Sequence, residues 1–166
     1  MSKERELLET LGFEGFKSMS ELMAGAKTQI PAQMGVYVVL RESDSEPSFI
    51  EEGSGGFFKG KNPNVSVSEL HSNWVEGTTI VYIGKAGGIG SSATLNKRLG
   101  QYLRFGQGAN VGHCGGRYIW QLQDSRDLIV CWKTLSSDEP REVEQQMINE
   151  FKSQHSGMRP FANLTD

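Results

Sequence analysis

Met34-Gly35-Val36-Tyr37-Val38-Val39-Leu40 and Thr78-Thr79-Ile80-Val81-Tyr82-Ile83-Gly84 are the two stretches whose reading decides the fold. Each is a short run of β-branched, aromatic and aliphatic residues, the pattern of a strand buried in a sheet. The second is expected to run antiparallel to the first. Each carries a tripeptide joining glycine and tyrosine, Gly35-Val36-Tyr37 and Tyr82-Ile83-Gly84. Either tripeptide alone fits many strand starts, so the order of the elements that follow carries the reading.

After the second strand, Gly87-Gly88-Ile89-Gly90-Ser91-Ser92 lacks the Gly-Lys-Ser/Thr ending of a phosphate loop and reads as a turn, with Ser91 or Ser92 capping the next helix. In that helix Leu95, Leu99 and Leu103 recur every four residues and mark its buried face, and Gly106 stops it. Arg98 and Tyr102 lie four apart on a neighbouring face. A Gly-rich loop from Gly106 to Gly116 holds His113 and Cys114, after which Tyr118 to Gln123 resumes an alternating pattern and Leu128 to Trp132 reads as a strand. A second helix starts after Ser137-Asp138, with Pro140 in its first turn and Val143, Met147, Ile148 and Phe151 as its apolar stripe. Glu144 sits beside that stripe, one turn before Ile148. Gly157 and Pro160 close the helix, and Arg159 to Leu164 is compact and apolar.

Upstream, Leu7, Leu8, Leu11, Phe13, Phe16, Met19, Leu22 and Met23 recur at spacings near three and four, which predicts one or two short amphipathic helices over residues 1–30. Between the two decisive strands, residues 41–78 run through Ser, Glu, Asn, Gly, Pro47 and Pro63 with little periodicity and read as an insertion.

The 166 residues suffice for one domain with its own core, and the hydrophobic and charged fractions, 37% and 22%, exclude global disorder. No run of 18 apolar residues and no apolar leader at the start occur, so a cytoplasmic protein with no membrane partner is expected. Cys114 and Cys131 lack CxxC partners, and neither zinc nor a disulfide is assigned to them. The net charge of −3 divides unevenly: Val81–Lys133 carries +5 and the rest of the chain −8. A basic middle of this kind is enough for phosphate binding.

The two tripeptides, followed by Lys85, Arg98, Glu144 and Asn163 in that order, resemble the signature of the GIY-YIG nuclease family. The resemblance implies an α+β fold, a small three-stranded antiparallel sheet flanked by helices, over roughly residues 31–166. Residues 1–30 would then be an N-terminal helical extension. It also implies a metal-dependent endonuclease that hydrolyses DNA phosphodiesters to 5′-phosphate and 3′-hydroxyl ends, with RNA not excluded as a substrate. Tyr37 and Tyr82 match the signature tyrosines, either of which could be the base. Lys85 matches a lysine after the second tripeptide, Arg98 the helix arginine that contacts phosphate, and Glu144, in Glu144-Gln145-Gln146-Met147-Ile148, the metal-binding glutamate. Gly35, Gly84 and Asn163 match supporting positions. Mg²⁺ is the implied cofactor, with Mn²⁺ able to substitute. Nothing in the sequence fixes an oligomeric state.

The chemistry suits these residue types. A carboxylate can hold one hydrated Mg²⁺, and a guanidinium grips phosphate in a fork. A phenol, with an ordinary pKa of about 10, needs nearby cations to act as a base. Where some members carry histidine four residues after the arginine, this chain has Tyr102, which joins the candidate catalytic set. Glu142 and Glu150 compete with Glu144 for the metal but point away from its side of the helix. His71 and His155 read as surface residues, and Trp74, Trp120 and Trp132 as core or strand residues. The alternative function is a noncatalytic nucleic-acid or protein-binding module that retains the fold.

Overall fold

The computed structural model describes residues 2–57, 59–109 and 116–165. At its centre is strand β2 (Gly35–Leu40), buried at every position, as a continuous apolar run requires. The order of the described elements from the amino end begins with helix α1 (Lys3–Thr10) and strand β1 (Glu14–Ser18). Helix α2 (Met19–Met23) precedes β2, helix α3 (Val67–Asn73) lies in the insertion, and strand β3 (Ile80–Ala86) follows it. Helix α4 (Leu95–Gly106), strand β4 (Ile129–Thr134) and helix α5 (Pro140–Gln154) complete the fold.

The class is α+β with an antiparallel sheet, and the sheet has four strands in the order β1-β4-β2-β3. The expectation of three strands and a purely helical N-terminus is corrected by β1, which pairs with β4. Leu8 and Phe13 face one side of the sheet and Met19 and Leu22 the other. Their spacing looks helical only because a helix, a strand and a second helix follow one another within 21 residues (3–23). Gly15 makes the strand possible. A Cβ there would strike the Trp132 ring, and its φ of +95° favours glycine. The register slips between Gly15 and Lys17, which marks a bulge.

Two layers cover the sheet. On one face, Tyr37, Val39, Tyr82 and Ala86 pack with Leu95, Leu99, Tyr102 and Leu103 of α4. On the other, Val36, Val38, Leu40, Ile83 and Cys131 pack with Ile148 of α5 and Leu8 of α1. Each fully buried leucine adds roughly 1.5–3 kcal/mol of hydrophobic stabilisation. Thr94 caps α4, its hydroxyl accepting from the Lys97 amide, so neither Ser91 nor Ser92 does. Pro140 stands in the first turn of α5.

The insertion is a folded lobe. Ser66 caps α3 by accepting from the Glu69 amide, Leu70 is fully buried, and Phe49 and Trp74 pack on Phe161. The alternating pattern from Tyr118 to Gln123 does not form a strand. Arg117–Gln121 is a 3₁₀ turn in which Tyr118, Ile119, Trp120 and Gln121 are buried one after another. The Gln121 carboxamide donates to the Ile50, Glu51 and Val65 carbonyls and accepts from the Val65 amide, tying the lobe to the core. Trp120 and Trp132 are buried, Trp74 is partly so, and Cys131 is a buried free thiol. Among the described residues no helix is long and apolar enough to cross a membrane.

Candidate active site

The register of β2 on β3 brings Tyr37 and Tyr82 together. Tyr37 pairs with Gly84 and Val39 with Tyr82, so the phenols are diagonal neighbours on one face of the sheet. Their ring centroids are 5.9 Å apart with the planes at 61°. Gly84 is needed for this: a Cβ built there would collide with Cζ and the hydroxyl of Tyr37, whose ring lies across the β3 backbone. Gly35 has the same kind of cause, since a Cβ there would run into the Lys133 carbonyl and Leu95. Both glycines are therefore close-approach positions.

Because β3 is an edge strand, side chains from both faces of the sheet can meet around it. Tyr37 and Tyr82 come from the α4 face together with Arg98. Lys85 alternates with Gly84 on β3, and Glu144 is in the second turn of α5. All five line one open cleft of about 290 Å³, with Ala86, Gly87, Ser91 and Ala93 completing its wall.

Burial dominates the electrostatics of this cleft. It pushes the Tyr37 phenol well above its usual range, Tyr82 opposing its ionisation further and Arg98 partly offsetting both. Burial pushes Tyr82 up to about 12, against a hydrogen bond from Tyr37 that holds it down; Glu144 raises it and Arg98 lowers it. Burial also raises Glu144, while Lys85, Arg141 and Arg98 favour its charged form. Arg98 is half-buried, and its guanidinium donates to the Gln101 side chain at 3.5 Å. Neither Arg98 nor Lys85 makes an ion pair among the described residues. Both line the cleft, where they act on the Glu144 carboxyl.

Glu144 is half-buried, whereas Glu142 and Glu150 are exposed and neither lines the cleft. One carboxylate beside uncharged phenols suits a hard, strongly hydrated cation that takes few protein ligands. It does not suit a caged structural metal, and no group of three His, Cys, Asp or Glu occurs among the described residues. The donor set therefore fits Mg²⁺ or Mn²⁺ on Glu144.

Tyr102 is not in the cleft wall. It is fully buried behind Tyr82, the ring centroids 5.6 Å apart, and its hydroxyl donates to the Gly116 carbonyl. It packs against Tyr82 from behind. Asn163 supports β3. Its side-chain oxygen accepts from the Ile83 amide at 3.0 Å, and its side-chain nitrogen donates to the Ile83 carbonyl at 2.9 Å. The Ala162 amide donates to Val81 at 2.8 Å, so the C-terminal segment covers the free edge of β3 on either side of Tyr82.

One feature has no local signal in the sequence. Glu139, the residue before α5, accepts from the Ile89 amide through both carboxylate oxygens, at 3.2 and 3.1 Å. Gly88, with a φ of +112°, leaves room for that carboxylate. The partners are 50 residues apart, and the bond fixes the loop that rims the cleft. His113 and Cys114 lie outside the described residues. His71 is exposed, edge-on to Phe49, and His155 stacks on Phe151. No family model, no curated protein and no solved structure matches the chain.

Proposed function

We propose that the chain is a divalent-metal-dependent endonuclease of the GIY-YIG type that hydrolyses DNA phosphodiester bonds. The observation that carries this reading is the meeting of Tyr37, Tyr82, Lys85, Arg98 and Glu144, drawn from three separate elements besides the central strand, on one open cleft. A module that only bound nucleic acid would have no use for a half-buried carboxylate between two cations and two phenols. A carboxylate repels phosphate and is costly to bury.

In this reading Arg98 holds the non-bridging oxygens of the scissile phosphate in its fork, and Lys85 adds a second positive charge beside them. Tyr82 orients the attacking water and takes its proton, being the phenol to which Tyr37 donates and the one held closer to the ordinary range. Before that step Tyr82 is the phenolate, favoured by the Tyr37 hydrogen bond and by Arg98, and after it the neutral phenol. The water oxygen bonds to phosphorus, the bond to the 3′ oxygen breaks, and that oxygen is protonated from solvent. A divalent cation bound by Glu144 supplies charge stabilisation for the departing oxygen.

Supercoiled plasmid incubated with the purified protein and Mg²⁺ or Mn²⁺ tests the reading. Wild type nicks the plasmid, and Glu144→Ala does so at least about a hundredfold more slowly, the scale of losing one charge-stabilising group. Binding of DNA with no nicking by wild type, across metals and substrates, would move the chain to the noncatalytic binding class. Equal nicking by both proteins would remove Glu144 from the mechanism.

A further inference from the structure

A second polar cavity lies along α4, beside the cleft, and every charged group in its wall is positive. Its volume is about 330 Å³, and Lys27, Asn96, Lys97, Gln101 and Arg104 line it with Thr28 and Gly100. Lys27, Lys97 and Arg104 are exposed, and none makes an ion pair among the described residues. The chain has 20 acidic residues against 17 basic ones, yet no carboxylate lines this groove. Three like charges around one groove repel each other, so folding alone gives no reason to gather them here.

The groove is also built. The Asn96 side chain donates to the Lys27 and Ile30 carbonyls at 3.2 and 3.1 Å. The Asn96 and Leu95 amides donate to Pro31 and Gln33. These bonds hold the segment carrying Lys27 against the start of α4, so the N-terminal extension supplies one wall. The groove continues from the cleft: Arg98 lines the cleft, and its guanidinium donates to Gln101, which lines the groove.

We infer that this groove holds the phosphate backbone of the nucleic-acid strand flanking the scissile phosphate. The spacing fits. Lys97 and Arg104 lie seven residues apart on α4, about 10 Å along the axis, and one strand of duplex DNA rises about 3.4 Å per nucleotide. Lys97 and Arg104 can therefore contact phosphates about three nucleotides apart on one strand, with Lys27 adding charge from the facing wall and Gln101 offering a neutral hydrogen bond between them. The inference rests on the nuclease reading and gives the N-terminal extension a part in substrate binding.

The test compares wild type with Lys27→Ala/Lys97→Ala/Arg104→Ala, and with the control Lys3→Ala/Lys17→Ala/Lys61→Ala, which removes equal charge outside both cavities. Affinity for a fluorescein-labelled duplex is measured from low to moderate salt in Ca²⁺, with plasmid nicking in Mg²⁺ run alongside on wild type. Thermal melting checks the fold of each variant. Each phosphate contact contributes about 0.9 to the slope of log affinity against log salt, so the groove variant should lose roughly 2 to 3 from that slope. The control variant should keep the wild-type slope. If wild type nicks but the groove variant keeps its slope, the groove inference falls and the nuclease reading stands. If wild type neither binds nor nicks, both fall. Displacement of the duplex by polyglutamate at equal charge concentration would reassign the groove to an acidic peptide and overturn the inference.

Discussion

Gly84 lies directly across the β2–β3 ladder from Tyr37, and the phenol ring fills the space that a side chain at position 84 would need. The glycine of the second tripeptide thus exists for the tyrosine of the first, 47 positions away. Gly84→Ala should force the Tyr37 ring out of the cleft and cost roughly 1–3 kcal/mol through overpacking. In a Tyr37→Ala background the same substitution should cost much less, because the colliding ring is gone. Chemical denaturation of the four proteins measures the coupling; additive effects would mean that the ring does not occupy that space.

Tyr82 and Tyr102 pack with their rings tilted at 45° but differ in what their hydroxyls reach. Tyr82→Phe removes a cleft hydroxyl and should lower the single-turnover nicking rate by about 10²–10⁴. Tyr102→Phe leaves the Gly116 carbonyl without its donor and should cost about 1 kcal/mol of stability, with a smaller effect on rate. Burial pushes Tyr82 up to about 12, so its phenolate is scarce at neutral pH. The phenolate fraction then rises about tenfold per pH unit well below that value. Wild-type rate should climb from pH 7 to 9, and Tyr82→Phe should flatten the climb. A flat wild-type profile would exclude Tyr82 as the base.

How much of this was legible depended on distance along the chain. The strands at Met34–Leu40 and Thr78–Gly84 and the helices on either side of the sheet announce themselves locally, by continuous apolar runs and by spacings of three and four. Tyr102 was read on a face beside the leucine stripe and as a catalytic candidate, yet its burial had a local signal. It stands seven residues after Leu95, so it falls on the stripe of Leu95, Leu99 and Leu103 and belongs in the core. Ser66 with Glu69 and Leu70 spells a cap followed by an apolar anchor, but the surrounding Ser, Gly and Pro obscure it. β1 was hidden because helix and strand share one run of apolar residues. The contacts of Glu139 with Ile89 and of Asn163 with Ile83 cross 50 and 80 residues, and no local pattern encodes them.

Asn163 does for the edge of β3 what a neighbouring strand would do, bonding both the amide and the carbonyl of Ile83. Asn163→Ala should cost about 1–3 kcal/mol by leaving that pair unsatisfied. Asn163→Asp keeps an acceptor for the amide but sets an oxygen against the carbonyl, so it should not restore stability. Hydrogen exchange at the Ile83 amide should speed up in Asn163→Ala while amides of central β2 stay protected. Unchanged exchange at Ile83 would show that the edge is covered without Asn163.

Glu144 ties stability to pH in a direction opposite to that of a salt-bridged acid. Burial raises its carboxyl above the ordinary 4.5, more than the nearby Lys85, Arg141 and Arg98 lower it. Between 4.5 and the raised value the folded chain binds more protons than the unfolded chain, so this group's contribution to stability falls as pH rises through that window. Above the window the ionised carboxylate keeps its full desolvation penalty. Glu144→Gln removes that penalty and should melt at a higher temperature than wild type at pH 8. The two melting temperatures should converge as pH falls toward 4. Mg²⁺ added at pH 8 should raise the midpoint of wild type but not of Glu144→Gln, because only the carboxylate offers the ion a charged ligand. Parallel melting curves across the whole pH range would mean that the carboxyl is not held in the low-dielectric wall of the cleft.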